Sequence, residues 1–348
     1  MVETSGEWKL ENTDRGIRSY SLASRVSNLF QFRAITIIDA PLYVVGTVVR
    51  DLPAYPQWMA ACKQARVIES VDENNFTAHV TLAFPVVSDR DVVFRATTEI
   101  DLTRARSSVT LALVSDAGVP IARGIVRMPA FSGSYLFEYL SPVKTGVIYT
   151  YRADPGGNIP SLVSNWFSKN LLVETLKKLK TMVKRPSYRA SAEGSNDKAM
   201  WDETLKDKDK VRLVIKNRLK EHFQDHGSID QLISRIDLEA HFLSSSKGLA
   251  EMLFDAGCAP SNPRRAAQLL LRLCLEGLTD DRAKVESLSS DPALVDTLLR
   301  GPRSGQPAVC EILGAHFPPP EPPKKNPAKR SAGRKKPAEP GTARRAKK

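Results

Sequence analysis

No two cysteines in this chain stand close enough to form a C-x-x-C metal or redox motif. Cys62, Cys258, Cys274 and Cys310 are widely spaced and read as buried thiols of a reducing compartment. No run of about 18 apolar residues occurs, and Met1 to Lys9 lacks a basic stretch leading into an apolar one, so neither a membrane-spanning helix nor a secretory leader is expected. The expectation is a cytoplasmic protein that touches membranes at most from outside. A nucleophile elbow, a glycine-rich phosphate loop and a zinc signature are missing as well. No metal or cofactor is therefore expected.

What is present divides along the chain. Residues 318–348 carry eleven Lys and Arg against Glu321 and Glu339, which is +9 of a formal net charge of +12, so the basic balance belongs to an appendage rather than to a basic fold. Eight prolines and no aromatic ring leave that segment too little apolar surface to offset its ordering entropy, and disorder is expected. Its charge suits anionic lipid or nucleic-acid phosphates, without base stacking. The preceding residues have the 42% hydrophobic content typical of a folded chain, and a length of 348 residues favours about two domains.

The patterning of residues 7–153 is mostly β. Residues 7–21 read as a hairpin turning at Gly16, and Phe32 to Ile38 is a β-rich run. A helix over about 41–50 starts at Pro41, with Asp39 as capping acceptor, and a short turn follows at Tyr55 to Trp58. Runs at 64–71, 75–84, 92–101, 107–115, 121–128, 132–140 and 145–153, several with period-2 alternation, have short connections, as expected of an antiparallel sheet. Phe76, Ala78, Val80, Leu82 and Phe84 share one face, as do Val109, Leu111 and Leu113, and Tyr135, Phe137 and Tyr139. Asp154-Pro155-Gly156-Gly157 fits a type II turn. A helix over about 160–185 then begins, and at about 1.5 Å per residue it can cross the whole sheet.

Residues 186–198, with Pro186, Ser187, Ser191, Gly194 and Ser195, read as a linker. From 199 to 317 helical patterns alternate with start signals at Ser228 with Gln231, at Asn262-Pro263 and at Asp291-Pro292, which predicts five or six helices in a small bundle of unknown protein partner.

The phrases Phe32-Arg33-Ala34, Asp39-Ala40-Pro41, Asp51 to Trp58, Asp89-Arg90-Asp91, Gly124-Ile125-Val126-Arg127 and Asp154 to Pro160 leading to Asn165-Trp166 carry a resemblance. In these words and in element order, residues 7–185 resemble the START family of lipid-transfer domains, within the helix-grip superfamily. The resemblance implies an α+β helix-grip fold over residues 1–185, a curved antiparallel sheet closed by a long C-terminal helix over a cavity for one lipid or other apolar molecule. It covers about half the chain. Sterol-binding relatives carry an acid on a cavity strand, and the matching run Phe76 to Phe84 has none, so a sterol preference is not supported.

The cavity lining expected on this basis is Phe76, Val80, Leu82, Phe94, Leu111, Leu113, Val126, Tyr135, Phe137 and Tyr149, with Trp166, Leu172 and Leu176 from the helix. The same residues would serve a solid core. Lys177, Lys178, Lys180, Lys184 and Arg185 suit either an anionic membrane surface or a helix C-terminus. Asp89-Arg90-Asp91 reads as a tight turn entering a strand rather than a catalytic group. His222 and His226, four apart on a predicted helix, read as a solvated face rather than a metal site. Three functions remain: non-catalytic lipid binding with transfer or sensing, a polyketide cyclase or aromatase using the same cavity, and a nucleic-acid-tethered protein acting through its tail.

Overall fold

The structure, a computed structural model, describes residues 7–23, 30–84, 87–115, 118–157, 159, 161–244, 248–258 and 262–317, except for the side chains of 161–169, Arg235 and Asn262. The tail from 318 lies outside the described residues. Strands β1 (Lys9–Asp14) and β2 (Ile17–Ala23) form the opening hairpin, turning at Arg15 and Gly16 with φ of 49° and 73°. Two successive positive φ values match the twist of a tight hairpin. After β3 (Phe30–Ile38) comes α1 (Leu42–Arg50), which buries Leu42, Val44, Val45, Val48 and Val49. Its first turn has no side-chain cap, so Asp39 does not take the role expected of it, and Pro41 itself occupies the cap position. A 3₁₀ turn, Leu52–Ala54, leads into α2 (Tyr55–Trp58).

The strands β4 (Cys62–Ser70), β5 (Asn75–Leu82), β6 (Asp89–Asp101), β7 (Arg106–Leu113), β8 (Ile125–Arg127), β9 (Ala130–Ser141) and β10 (Lys144–Asp154) complete one sheet in the order β1-β2-β3-β10-β9-β7-β6-β5-β4. Every pair on this path is antiparallel. The exception is β8, three residues long, which lies parallel to β6 off the path. Arg127 Nε and Nη2 donate to the Asp91 carboxylate at 2.7 and 2.8 Å, and His79 Nε2 lies 2.8 Å from the same group. A buried carboxylate with three such partners fixes β8 against β6.

Helix α3 (Ser161–Met182) lies over β2 and β3 and meets α2, which gives the helix-grip arrangement. Residues 186–198, expected as a linker, are instead helical: α4 (Pro186–Glu193) packs on α1, and α5 (Asn196–Lys206) starts with Ser195 accepting from the Lys198 N–H. Pro186 starts this helix rather than breaking one, since its fixed φ suits a first turn.

Eight further helices follow among the described residues: α6 (Lys208–His222), α7 (His226–Arg235), α8 (Glu239–Leu243), α9 (Leu249–Cys258), α10 (Asn262–Glu276), α11 (Arg282–Ser289), α12 (Pro292–Arg300) and α13 (Val309–His316). They are more numerous than expected because Asp207, Asp225 and Asp281 each accept from N–H groups at a fresh helix start, as Asp291 does at a start that was expected. Asp225, not Ser228, caps α7, and Ser228 instead accepts from the Cys310 N–H at 2.9 Å.

The helical region packs onto the sheet. On the sheet's outer face, Ile35 and Leu140 share a core with Phe254 and Cys258 of α9. A Cβ at Gly146 would lie 2.7 Å from the Phe254 ring, so only glycine fits there. Arg218 of α6 is 2% exposed and donates to Tyr139 O at 2.9 Å, Glu138 Oε2 at 2.6 Å and Ala250 O at 3.2 Å. Glu221 pairs with Arg104 and Arg106 at the β6–β7 turn. The helices thus cap one end of the sheet.

Candidate functional site

Because strand residues alternate in direction, one face of β5, β6, β7, β9 and β10 collects Val80, Phe94, Leu111, Tyr135 and Tyr149 toward α1, α2 and α3. Two hollows lie along this face. The larger is walled by Val80, Leu82, Phe84, Val92, Phe94, Leu111, Met128, Phe131, Tyr149, Tyr151, Ala153 and Pro155, with Met59 and Ala60 after α2 and Leu171 and Thr175 of α3. It holds about 710 Å³ of space not filled by atoms, counted out to its mouth, of which about 50 Å³ can take the centre of a water-sized sphere. It is a narrow, greasy slot. Among its described walls only Tyr149, Tyr151 and Thr175 carry a polar side chain, and Thr175 Oγ1 already accepts from the Ala60 N–H at 3.1 Å.

The second hollow lies nearer the capped end and has room for a water-sized centre over about 30 Å³. Leu42, Gly46, Val49, Arg50, Tyr55, Phe76, Ala96, Thr98, Ile100, Ser107, Val109, Tyr135 and Phe137 surround it, joined by Asp197 and Trp201 of α5, while Leu111 borders both hollows. Tyr135 stacks on Tyr149, their centroids 4.0 Å apart, and on Phe137 at 5.6 Å. Burial raises the phenol pKa of Tyr55, Tyr135 and Tyr149, since a phenolate would be poorly solvated there. Tyr55 Oη donates to Val49 O at 2.8 Å.

Of the lining residues expected from sequence, Val80, Leu82, Phe94, Leu111 and Tyr149 border the larger hollow, and Phe76, Leu111, Tyr135 and Phe137 the smaller. Leu113 is half-buried at the margin, and Val126 is half-buried on β8. Leu172 and Leu176 are buried, yet Leu171 and Thr175 are the helix residues that face the slot. The helix is thus rotated about one position from its expected setting, with the 172/176 row buried in the core. The side chain of Trp166 lies outside the described residues. Met59, Met128, Phe131 and Pro155 were missed because each comes from a loop or strand end whose approach to the slot has no local pattern, whereas Val92 and Tyr151 were missed although each stands two residues from Phe94 or Tyr149 on the same strand face.

The basic residues in and just after α3 do not border the slot. Lys177 pairs with Asp14 and Glu174, Lys180 donates to Arg15 O at 3.4 Å and its ammonium pKa is lowered by burial, and Arg185 donates to Gln57 at 2.6 Å. Lys178 and Lys184 are exposed. Asp89-Arg90-Asp91 lies within β6 instead of a turn. Arg90 is buried and donates to Pro155 O and Gly156 O, each at 3.1 Å, and to Ser88 O, which secures the turn entering α3. Gly156, with φ 63°, takes the left-handed position expected of that turn. His222 ends α6 and His226 begins α7, so they do not share a helix face, and no cluster of three or more His, Cys, Asp or Glu suited to a metal occurs among the described residues. No described helix is long and apolar enough to cross a membrane.

The START domain family model matches residues 1–189. A phosphatidylcholine transfer protein of Mus musculus is 29% identical over 177 residues, covering 50% of this chain and 82% of that protein. An uncharacterised protein of Pseudomonas aeruginosa is 26% identical over 181 residues, 51% of this chain and 88% of its own length. Among solved structures, a STAR-related lipid transfer protein fragment from Xanthomonas axonopodis aligns at 28% identity and a TM-score of 0.48, covering 51% of this chain and 99% of that one.

Proposed function

Since the chain belongs to the START domain family, we propose that its first half binds one lipid or other apolar molecule, without catalysis, in the slot between sheet and α3, and transfers or senses it. The observation that carries this reading is the slot itself, whose described walls are apolar save for two tyrosines and one threonine. Burial of apolar surface at about 25 cal/mol per Å² makes such walls attractive to an acyl chain. The similarity to a phosphatidylcholine transfer protein makes phosphatidylcholine the first ligand to try.

The slot is too narrow for a diacyl lipid as it stands, so entry requires α3 and the Asp154–Gly157 turn to part from the sheet. The turn is held by two Arg90 hydrogen bonds to the carbonyls of Pro155 and Gly156, a latch of modest strength. Membrane docking through the cations in and just after α3 would fall mainly to Lys178 and Lys184, since Lys177 and Lys180 are engaged within the fold.

The test is transfer of fluorescent phosphatidylcholine between donor and acceptor vesicles, paired with native mass spectrometry of the purified protein. Transfer above the spontaneous rate, or a co-purifying lipid, is expected. Absence of both for phosphatidylcholine and for a mixed lipid extract would overturn the reading.

A further inference from the structure

Among the described residues, four buried side-chain polar atoms lack a well-formed hydrogen bond: Arg50 Nε, Trp58 Nε1, Trp201 Nε1 and Tyr135 Oη, the last interacting only with the Tyr149 hydroxyl outside good hydrogen-bond geometry. Three of them belong to residues that wall the smaller hollow. Buried polar groups are nearly always paired, because an orphan forfeits its hydration. Three orphans around one hollow therefore mark a place built for something else. Arg Nε and indole Nε1 can only donate, so the complement must present acceptors, and the Tyr135 hydroxyl can donate to it too.

The charge of that complement is also constrained. Arg50 Nη1 already pairs with Asp197 Oδ2 at 2.5 Å, so the local charge is balanced and a free anion would face the Asp197 carboxylate. An uncharged acceptor on an apolar body fits best, since Leu42, Val49 and Phe137 complete the walls. The space exceeds the roughly 10–15 Å³ that one water needs but is far too small for a whole head group.

We infer that the smaller hollow is a carbonyl subsite, in which Arg50, Tyr135 and Trp201 hold an ester carbonyl of the acyl lipid whose chain occupies the larger slot. This rests on the lipid-binding reading above and adds the chemical feature that is selected. Trp201 and Asp197 lie beyond residue 189, outside the family match, so the helical region forms part of the binding site. That region thereby gains a role in selectivity.

The test compares the full-length protein's affinity for phosphatidylcholine with ester-linked chains and for its ether-linked counterpart, which lacks both carbonyls, by displacement of a fluorescent lipid. One or two hydrogen bonds predict about tenfold tighter binding of the ester form. Tyr135→Phe, which keeps the ring and loses the hydroxyl, and Trp201→Phe, which replaces the indole by a smaller ring without the N–H, should move the ester-to-ether ratio toward one, with thermal unfolding as the check on folding. Equal affinity for both lipids in the unaltered protein means that water alone fills the hollow, and overturns the subsite while leaving lipid binding intact. A preference unmoved by both variants also overturns it. Binding of neither lipid overturns the subsite together with the reading beneath it.

Discussion

Replacing Arg218 by methionine should be among the most damaging single changes on the outer side of the sheet. The guanidinium is 3% exposed and its partner Glu138 13%, and two of its N–H groups also serve the carbonyls of Tyr139 and Ala250. Removing one member of a buried ion pair leaves the other charge uncompensated, which costs about 3–5 kcal/mol. With a urea dependence near 3 kcal/mol per M for a chain of this size, the midpoint of unfolding should fall by about 1–1.7 M. The double variant Arg218→Met, Glu138→Leu removes both charges and should recover roughly half of the loss. The remainder, about 1.5–2.5 kcal/mol, reflects the two carbonyls left without donors. Urea titrations followed by far-ultraviolet circular dichroism would measure all three proteins. A loss below about 1 kcal/mol in the single variant, or a double variant no better than the single, would refute the role given to this pair.

Leu111 borders both hollows, so Leu111→Trp should abolish vesicle-to-vesicle lipid transfer while the thermal midpoint stays within a few degrees; undiminished transfer would count against the slot. Gly146→Ala should cost about 1–3 kcal/mol by wedging a methyl against Phe254, and adding Phe254→Leu should relieve part of it in the same urea assay. Burial pushes the Asp91 carboxyl upward, but the bonds from Arg127 and His79 outweigh it and hold its pKa below the ordinary value. Such a group stabilises the fold above its unfolded pKa, about 4, and the contribution is lost as pH falls through the lower folded value. The gap in urea midpoint between the unaltered protein and Asp91→Asn should therefore be wide at pH 6 and close toward pH 2. Burial also pushes the thiols of Cys62, Cys258 and Cys274 up to about 11, 12 and 12, so maleimide at neutral pH should label half-buried Cys310 well before these three, as peptide mapping would show.

Much of the first half was legible because its signals are local. Alternation along Phe76 to Phe84 and Val109 to Leu113 gave the inward faces, Arg15-Gly16 and Gly156 marked turns whose positive φ the structure contains, and Pro41 and Pro186 each sit at a helix start. The reading of Pro186 as a linker failed because a proline followed by serines looks alike in a loop and in a first helical turn. His222 and His226 were placed on one helix because i, i+4 spacing cannot show that Asp225 starts a new one.

Over residues 7–185 the succession of strands and helices along the chain, and the apolar alternation of the sheet's inner face, were settled by the sequence, since each depends on which residue follows which within a few positions. The rotation that turns Leu171 and Thr175 into the slot, the ion pair that pins β8, and the packing of Phe254 and Arg218 against the outer face were decided only by the tertiary structure. Those contacts join residues far apart in the chain, and packing selects among several register and rotation choices that have equal local propensity. The second hollow is the clearest instance, because Tyr135 and Trp201 come from regions that no sequence pattern connects.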